Sequence, residues 1–316
     1  MKRLLSYIFI LCILAACQEK QELPGMDTEP VLTKVQISLA AQDGFTSKSN
    51  NPQIPDVENL IHDVWVIQFS ERGVRYTGID KFYRTSGVDG ARFLTLEADI
   101  MSGKSTICLI ANLNKVNTET TIFFNIEELK ASLPDNLPQY KTTLLDMGKL
   151  LHYLNTNYKL AAIPMFGYWE GNINPANPEL GAQKLNVSLG RMVCRVNLTI
   201  DNQTSNTITK VKFTNASNKG YYFPQISSPA LTADSYCTDT NANTFARTVN
   251  SGESSTMYFY WGPNFCYGPG QATQMTFTDD SGKTYTTYLT NSAPTDNNID
   301  YNLYYNCNYS ITATIE

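Results

Sequence analysis

The chain has 316 residues and a formal charge of −5, with 42% hydrophobic and 17% charged residues. That balance excludes a disordered chain, and the lack of any long basic run excludes a nucleic-acid binder. Only two of the residues are His, against 19 Tyr, which leaves little material for a His-based metal or catalytic centre.

Lys2 and Arg3 precede an apolar run from Leu4 to Ala16 that is too short to span a bilayer core. The run ends Leu14-Ala15-Ala16-Cys17, small residues directly before a cysteine. This is the pattern of a bacterial lipobox. Residues 1–16 read as a lipoprotein signal peptide and Cys17 as the acylated N-terminus, anchored in the outer membrane and placed outside the cytoplasm. An ordinary secretory signal with a chance cysteine is the alternative. Residues 17–30 are polar, contain Pro24-Gly25 and Pro30, and read as a tether. No later apolar run approaches the roughly 20 residues a transmembrane helix needs.

Val31, Thr33, Val35, Ile37 and Leu39 alternate with Leu32, Lys34, Gln36 and Ser38, the pattern of a half-buried strand. A polar loop follows from Gln42 to Pro55. His62 to Phe69 is apolar on both faces and reads as a strand covered on both sides. Strand patterns return around Leu94 to Ile100 and Ser105 to Ala111. Leu144, Leu145, Met147, Leu150, Leu151 and Leu154 then fall at helical spacing, so the sequence predicts a helix over 139–155, broken upstream by Pro134 and Pro138. Extended structure resumes at Ile163. Asn172 to Gly181 carries two prolines and reads as a linker between domains.

Leu185, Val187 and Leu189 open the second half, and after Gly190 the apolar phase shifts to Met192, Cys194, Val196, Leu198 and Ile200. A glycine at such a shift marks a bulge or a strand that changes sheets. Further strands fall near 208–214, 220–226 and 255–261. Met275 to Leu289 forms a hairpin around Asp279-Asp280-Ser281-Gly282. The chain closes on a long alternation from Leu303 to Ile315, which at thirteen residues is bent or works as two segments. The fold class predicted is mainly β: two tandem β-sandwich domains, 31–182 and 183–316, with a helical insertion in the first.

The search for chemistry gives no catalytic residues, no metal site and no cofactor. Gly103-Lys104-Ser105 lacks the first Walker glycine, since Ala98 stands there. His62 and His152 have no ligand or base partner at a diagnostic spacing. The Asp279 hairpin tip lacks the remaining ligands of a calcium loop. Arg191 and Arg195 share one strand face and could bind an anion, but read rather as a solvated or interdomain edge. Cys108, Cys194 and Cys307 lie in apolar strand patterns and read as buried free thiols, whereas Cys237 and Cys266 could pair. Aromatic clusters at Tyr221-Tyr222-Phe223 and Tyr258-Phe259-Tyr260-Trp261 read as core, or as a sugar-stacking platform if exposed.

Several segments, in order along nearly the whole chain, together resemble the fimbrillin superfamily of Bacteroidia, the lipoprotein precursors of type V pili. They are the lipobox at Cys17, the strand Ile61 to Phe69, Ile107-Cys108-Leu109-Ile110-Ala111-Asn112, Ile163-Pro164-Met165-Phe166-Gly167, Val187 to Val196, and Asn306-Cys307-Asn308-Tyr309-Ser310-Ile311. Tyr305 departs from the Arg often found there, and the chain ends directly after its last strand. The resemblance implies transthyretin-like sandwiches and a non-enzymatic structural or adhesive role in surface fimbriae, as stalk, tip or anchor. The partners it implies are other fimbrial subunits, joined by β-strand addition, and a glycan or host-surface ligand if the role is adhesive. It further implies that a polymerising subunit is cut after a basic residue behind the first strand. Lys48 is the only basic residue between Lys34 and Arg72, so the cut would fall between Lys48 and Ser49. The terminal strand, through Tyr309, Ile311 and Ala313, is the natural donor to a groove opened by loss of the first strand along a sheet edge. A glycan-binding lipoprotein of a polysaccharide-uptake system is the alternative function.

Overall fold

The computed structural model describes residues 29–42, 56–84, 90–113, 123–157, 162–175, 179–223, 243–266, 268–290 and 300–316. Leu32–Glu316 forms one compact unit. Period-2 alternation becomes strands throughout, since each strand has one face to bury.

The first set comprises β1 (Leu32–Ala41), β2 (Asp63–Ser70), β3 (Lys81–Arg84), β4 (Phe93–Met101), β5 (Gly103–Ala111), β7 (Met165–Ile173) and β8 (Gln183–Arg191). They hydrogen-bond in the order β3-β2-β5-β7-β8-β1-β4. β7 and β8 pair only at Met165–Arg191 and Phe166–Gly190 and then diverge. Gly167 sits at that divergence, where a Cβ would lie 2.6 Å from the Ser188 carbonyl oxygen, so only glycine fits. The sheet therefore folds over itself. Val35, Ile37, Leu39, Leu96, Ala98, Leu185 and Val187 from β8-β1-β4 share one core with Val64, Val66, Ile107, Leu109 and Met165 from β3-β2-β5-β7.

The second set comprises β9 (Cys194–Asn202), β10 (Ile208–Thr214), β12 (Thr244–Val249), β13 (Ser254–Trp261), β14 (Gln274–Asp279), β15 (Thr284–Tyr288) and β16 (Asn308–Ile315). A three-stranded sheet, β13-β9-β16, packs over a four-stranded sheet, β12-β10-β14-β15. Val196, Leu198, Phe259, Trp261 and Ala313 meet Val211, Phe213, Phe245, Met275 and Phe277 in a second core.

The two sandwiches have the same topology. In each, the first strand is central to a three-stranded layer, parallel to the last strand (β1 to β8, β9 to β16) and antiparallel to the fourth (β1 to β4, β9 to β13). In each, the four-stranded layer runs third-second-fifth-sixth.

The helical insertion holds more than one helix. α1 (Ile126–Ser132) is capped by Asn125, whose side chain accepts from the Glu128 N–H. α2 (Leu137–Thr142) takes Pro138 in its first turn, where a missing N–H costs nothing. The predicted single helix over 139–155 is interrupted by β6 (Leu144–Asp146), which pairs with β11 (Lys219–Tyr221) before α3 (Gly148–Asn157) begins. The Asp146 carboxylate accepts from the Gly148 N–H at 2.8 Å and restarts the helix. These elements bury Tyr140, Leu145, Met147, Leu150 and Leu151 on the outer face of β2, β5 and β7, against Trp65, Ile67, Phe69, Cys108 and Ile110. That second cover explains why β2 is apolar on both faces.

Two expectations change here. The end of β7 and the start of β8 are clipped together by the Gln183 side chain, which accepts from the Asn174 N–H and donates to the Asn172 carbonyl oxygen. Strand 183–191 therefore belongs with the strands before it, not with the second half. The chain crosses between sandwiches at Met192-Val193, just after the phase shift at Gly190.

Candidate functional site

The candidate site is the slot that β1 fills. β1 is antiparallel to β4 from Leu32–Met101 to Ala40–Phe93, and parallel to β8 from Val35–Gln183 to Ala41–Leu189. It is the middle strand of its layer, not an edge strand, which corrects the expectation of a single exposed edge. Its alternation is complete: Val35 and Ile37 are 0% and Leu39 is 2% exposed, while Lys34 is exposed. Loss of β1 would uncover an apolar trough with unpaired backbone groups on both walls. Such a trough accepts a strand of matching length and alternation whose inward side chains fit it.

The loop after β1 is tied to the second sandwich at both ends. The Gln42 N–H donates to the Leu189 carbonyl oxygen at 2.8 Å, and its side-chain oxygen accepts from Asn306 at 3.4 Å. The far end is the short 3-10 turn Asp56–Asn59. There Glu58 accepts from the Arg195 guanidinium at 3.2 Å and from the Tyr260 hydroxyl at 2.5 Å. The Arg191 guanidinium donates to Asn59 and, at 2.9 Å, to Asn306. Arg195 also lies over the Tyr258 ring at 4.5 Å. Glu58 is 1% exposed, and burial raises its carboxyl above the ordinary value against the opposing pull of Arg195 and the Tyr260 hydroxyl. Arg191 and Arg195, predicted as a solvated or interdomain edge, are buried in the seam between the sandwiches. Sequence reasoning missed Glu58 and Asn59, because their partners lie more than a hundred residues away and no local pattern marks them.

The terminal alternation is bent, as its length required. Leu303 pairs with Asn264, Asn306 takes a left-handed φ of 55°, and the regular strand β16 starts at Asn308. β16 is an edge strand seated in its own sandwich: Tyr309 and Ala313 are buried, and Ile311 is half-buried. The Tyr309 hydroxyl accepts from the Tyr304 N–H at 2.7 Å.

Other predicted residues resolve as follows. Tyr260 and Trp261 are each 2% exposed, Tyr258 is half-buried, and Tyr221, Tyr222 and Phe223 are buried, so these rings are core and form no open platform. Cys108 and Cys194 are buried free thiols; Cys307 is half-buried, less than the alternation suggested. Cys266 is a free thiol in this structure and donates to the Tyr301 carbonyl oxygen at 3.3 Å; Cys237, the partner considered for it, lies outside the described residues. The Asp279 carboxylate is taken up by the Ser281 hydroxyl, Asn206, and the Ser281 and Lys283 N–H groups, and these bonds hold its carboxyl down at about 2. Cys17, Lys48, Ser49 and Cys237 lie outside the described residues.

No protein-family model matches the chain, and no curated protein matches it. Solved structures do. The tip fimbrial protein Mfa3 from Porphyromonas gingivalis, in a C-terminally truncated form, aligns over 89% of this chain and 94% of its own, with a TM-score of 0.58 at 14% identity. A cell-adhesion protein from Parabacteroides distasonis aligns over 89% and 88%, with a TM-score of 0.59 at 16% identity. A fimbrillin from Porphyromonas gingivalis W83 aligns over 89% and 90%, with a TM-score of 0.51 at 10% identity. The fold is that of Bacteroidia fimbrial proteins.

Proposed function

We propose that this chain is a fimbrillin-superfamily subunit, a structural or adhesive part of cell-surface fimbriae, and not an enzyme. The observation that carries the reading is the placement of β1: an N-terminal strand, joined to the rest by a polar loop, that fills the middle of a three-stranded layer. In this reading residues 1–16 are removed, Cys17 is acylated and holds the subunit to the outer membrane, and residues 17–30 are the tether. The remainder divides into two sandwich domains, with the boundary moved to Met192-Val193. In a polymerising subunit a trypsin-like protease cuts between Lys48 and Ser49, β1 leaves, and a strand of the neighbouring subunit takes its place. β16, through Tyr309, Ile311 and Ala313, is the donor within this chain. In an anchor subunit the chain stays uncut.

The alternative, a glycan-binding lipoprotein, depended on exposed rings at 258–261, and the burial of Tyr260 and Trp261 disfavours it. Electron microscopy of cells with and without the gene tests the fimbrial role: loss or shortening of filaments supports it, and unchanged filaments refute it. N-terminal sequencing of surface-released protein tests the exchange. A terminus at Ser49 supports it, whereas an intact, lipid-blocked Cys17 on all surface protein refutes it and assigns the anchor role.

A further inference from the structure

Cys194 and Cys307 meet across the β9–β16 ladder. The parallel register sets Arg195 opposite Asn308 and Val196 opposite Tyr309. The preceding position in that register is Cys194 opposite Cys307. One backbone bond fits that position, the Arg195 N–H donating to the Cys307 carbonyl oxygen at 2.9 Å; beside it the Val193 carbonyl oxygen accepts from the Asn306 N–H at 2.9 Å, one residue short of Cys307, so the regular ladder ends at this pair. Residues opposed in a ladder project to the same face. Here that is the core face, where Cys194 is 0% exposed and Cys307 packs against the same apolar cluster. Neighbouring strands run about 4.8 Å apart, inside the Cα separation of roughly 4.4–6.8 Å that a disulfide spans. Both thiols are free in this structure.

We infer that Cys194 and Cys307 form a disulfide site that staples the root of the last strand to the central strand of the second sandwich. The reasoning is independent of the fimbrial reading, although an extracytoplasmic location would supply the oxidising surroundings. The oxidant is an external disulfide. The Cys307 thiolate attacks one of its sulfurs, and one external thiol leaves. The Cys194 sulfur then attacks the Cys307 sulfur of the mixed disulfide, and the second external thiol leaves. Two protein thiols become one disulfide, and the external disulfide, having taken two electrons and two protons, becomes two thiols. Burial pushes the Cys307 thiol up to about 11 and the Cys194 thiol up to about 12, the latter helped by its Cys307 neighbour. Thiolate is therefore scarce once the sandwich has closed, and the bond forms while it assembles.

The consequence concerns β16. As an edge strand it is held by a single ladder. A bond at its root ties Cys307 to β9, so the oxidised form keeps β16 in its own sandwich and only the reduced form could give it up as the donor strand proposed above.

The test is refolding of the full chain with oxidised and reduced glutathione, followed by alkylation under denaturing conditions and peptide mass mapping. The expected result is a cross-linked peptide pair containing Cys194 and Cys307. The oxidised protein should melt roughly 5–10 °C above the dithiothreitol-treated form, as befits closure of a long loop. Cys307→Ser should abolish both the cross-link and the melting difference; if that variant fails to fold, the wild-type mass map decides alone. Full alkylation of both thiols after oxidative refolding, or a disulfide joining either one to another cysteine, overturns the inference.

Discussion

Arg195→Met asks what the buried seam is worth. The Arg195 and Glu58 side chains are 7% and 1% exposed, so neither charge is screened by bulk water. Removing the guanidinium leaves a carboxylate in the seam with the Tyr260 hydroxyl and the more remote Arg191 charge to support it. Breaking a buried pair in this way costs about 3–5 kcal/mol, and loss of the stacking over Tyr258 adds about 0.5–1 kcal/mol. The cost should depend on pH. Glu58 already titrates above its ordinary value of 4.5, and Arg195 is the strongest influence pulling it down. Without Arg195 its folded-state carboxyl rises further. A raised carboxyl stabilises the fold below the unfolded-state value and loses that contribution as pH rises through the folded-state value. The penalty in Arg195→Met should therefore be small near pH 4.5 and grow with pH, by at most about 1.4 kcal/mol per unit. Urea unfolding of wild type, Arg195→Met, Glu58→Gln and the double variant, at pH 5 and pH 8, measures this. The double variant should recover much of the loss, because it removes the orphaned charge. A pH-independent loss under 1 kcal/mol, or strict additivity of the two single variants, would refute the reasoning.

Three further outcomes are expected, two from the structure and one from the lipobox sequence. Ile37→Ala in β1, at a wholly buried site, should destabilise the chain by about 2–5 kcal/mol in the same urea experiment, whereas Lys34→Ala on the exposed face should cost under about 0.5 kcal/mol. Asp279 titrates at about 2 in place of 3.8, so its stabilising contribution is present above pH 3.8 and lost as pH falls towards 2. Asp279→Asn should flatten the fall in melting temperature over that window, and an unchanged profile would contradict the hydrogen-bonded turn. Cys17→Ala should abolish incorporation of a labelled fatty acid and leave the precursor unprocessed; equal labelling of mutant and wild type would exclude the lipobox reading.

The parts of the fold that were legible in sequence are those where one strand face is buried and the other is wet. β1, the β14–β15 hairpin and the phase shift at Gly190 all show as period-2 patterns, because the side-chain period of a strand is fixed by its backbone. β2 was legible as doubly covered for the complementary reason, since Trp65 and Ile67 face the insertion while Val64 and Val66 face the sandwich core. The insertion itself was read too simply. Leu144 and Leu145 fit a helical stripe, yet pairing of β6 with β11 overrides that local preference. The pairing of strand 183–191 with β1 was not legible, because a connection within a sandwich and a domain linker have the same composition, and the Gln183 clip across it is made of side chain to backbone bonds. The seam was illegible because buried polar contacts between distant segments leave no periodicity.

The repeated topology gives the two central strands the same packing but different freedom. β9 is bound at both ends, to β8 through Met192-Val193 and to β10 through residues 203–207. It cannot leave its layer without unthreading the sandwich. Among the described residues, β1 runs on into the fold at its C-terminal side, where Gln42 is held by Asn306 and the chain resumes at the Glu58 and Asn59 contacts. A break in the loop between those points would leave β1 held by two ladders and its row of aliphatic side chains alone. Those contacts are strong but replaceable, since a second strand with the same alternation restores every one of them. The replacement is not indifferent to sequence. The inward row of β1 is Val35, Ile37 and Leu39, whereas that of β16 begins with Tyr309, whose hydroxyl is matched in its own sandwich by the Tyr304 N–H. Placing so large a ring in a trough shaped for valine would cost about 1–3 kcal/mol in overpacking. If β16 is the donor proposed above, it should enter in the register that sets Ile311 and Ala313 in the aliphatic row and keeps Tyr309 at an open end of the trough.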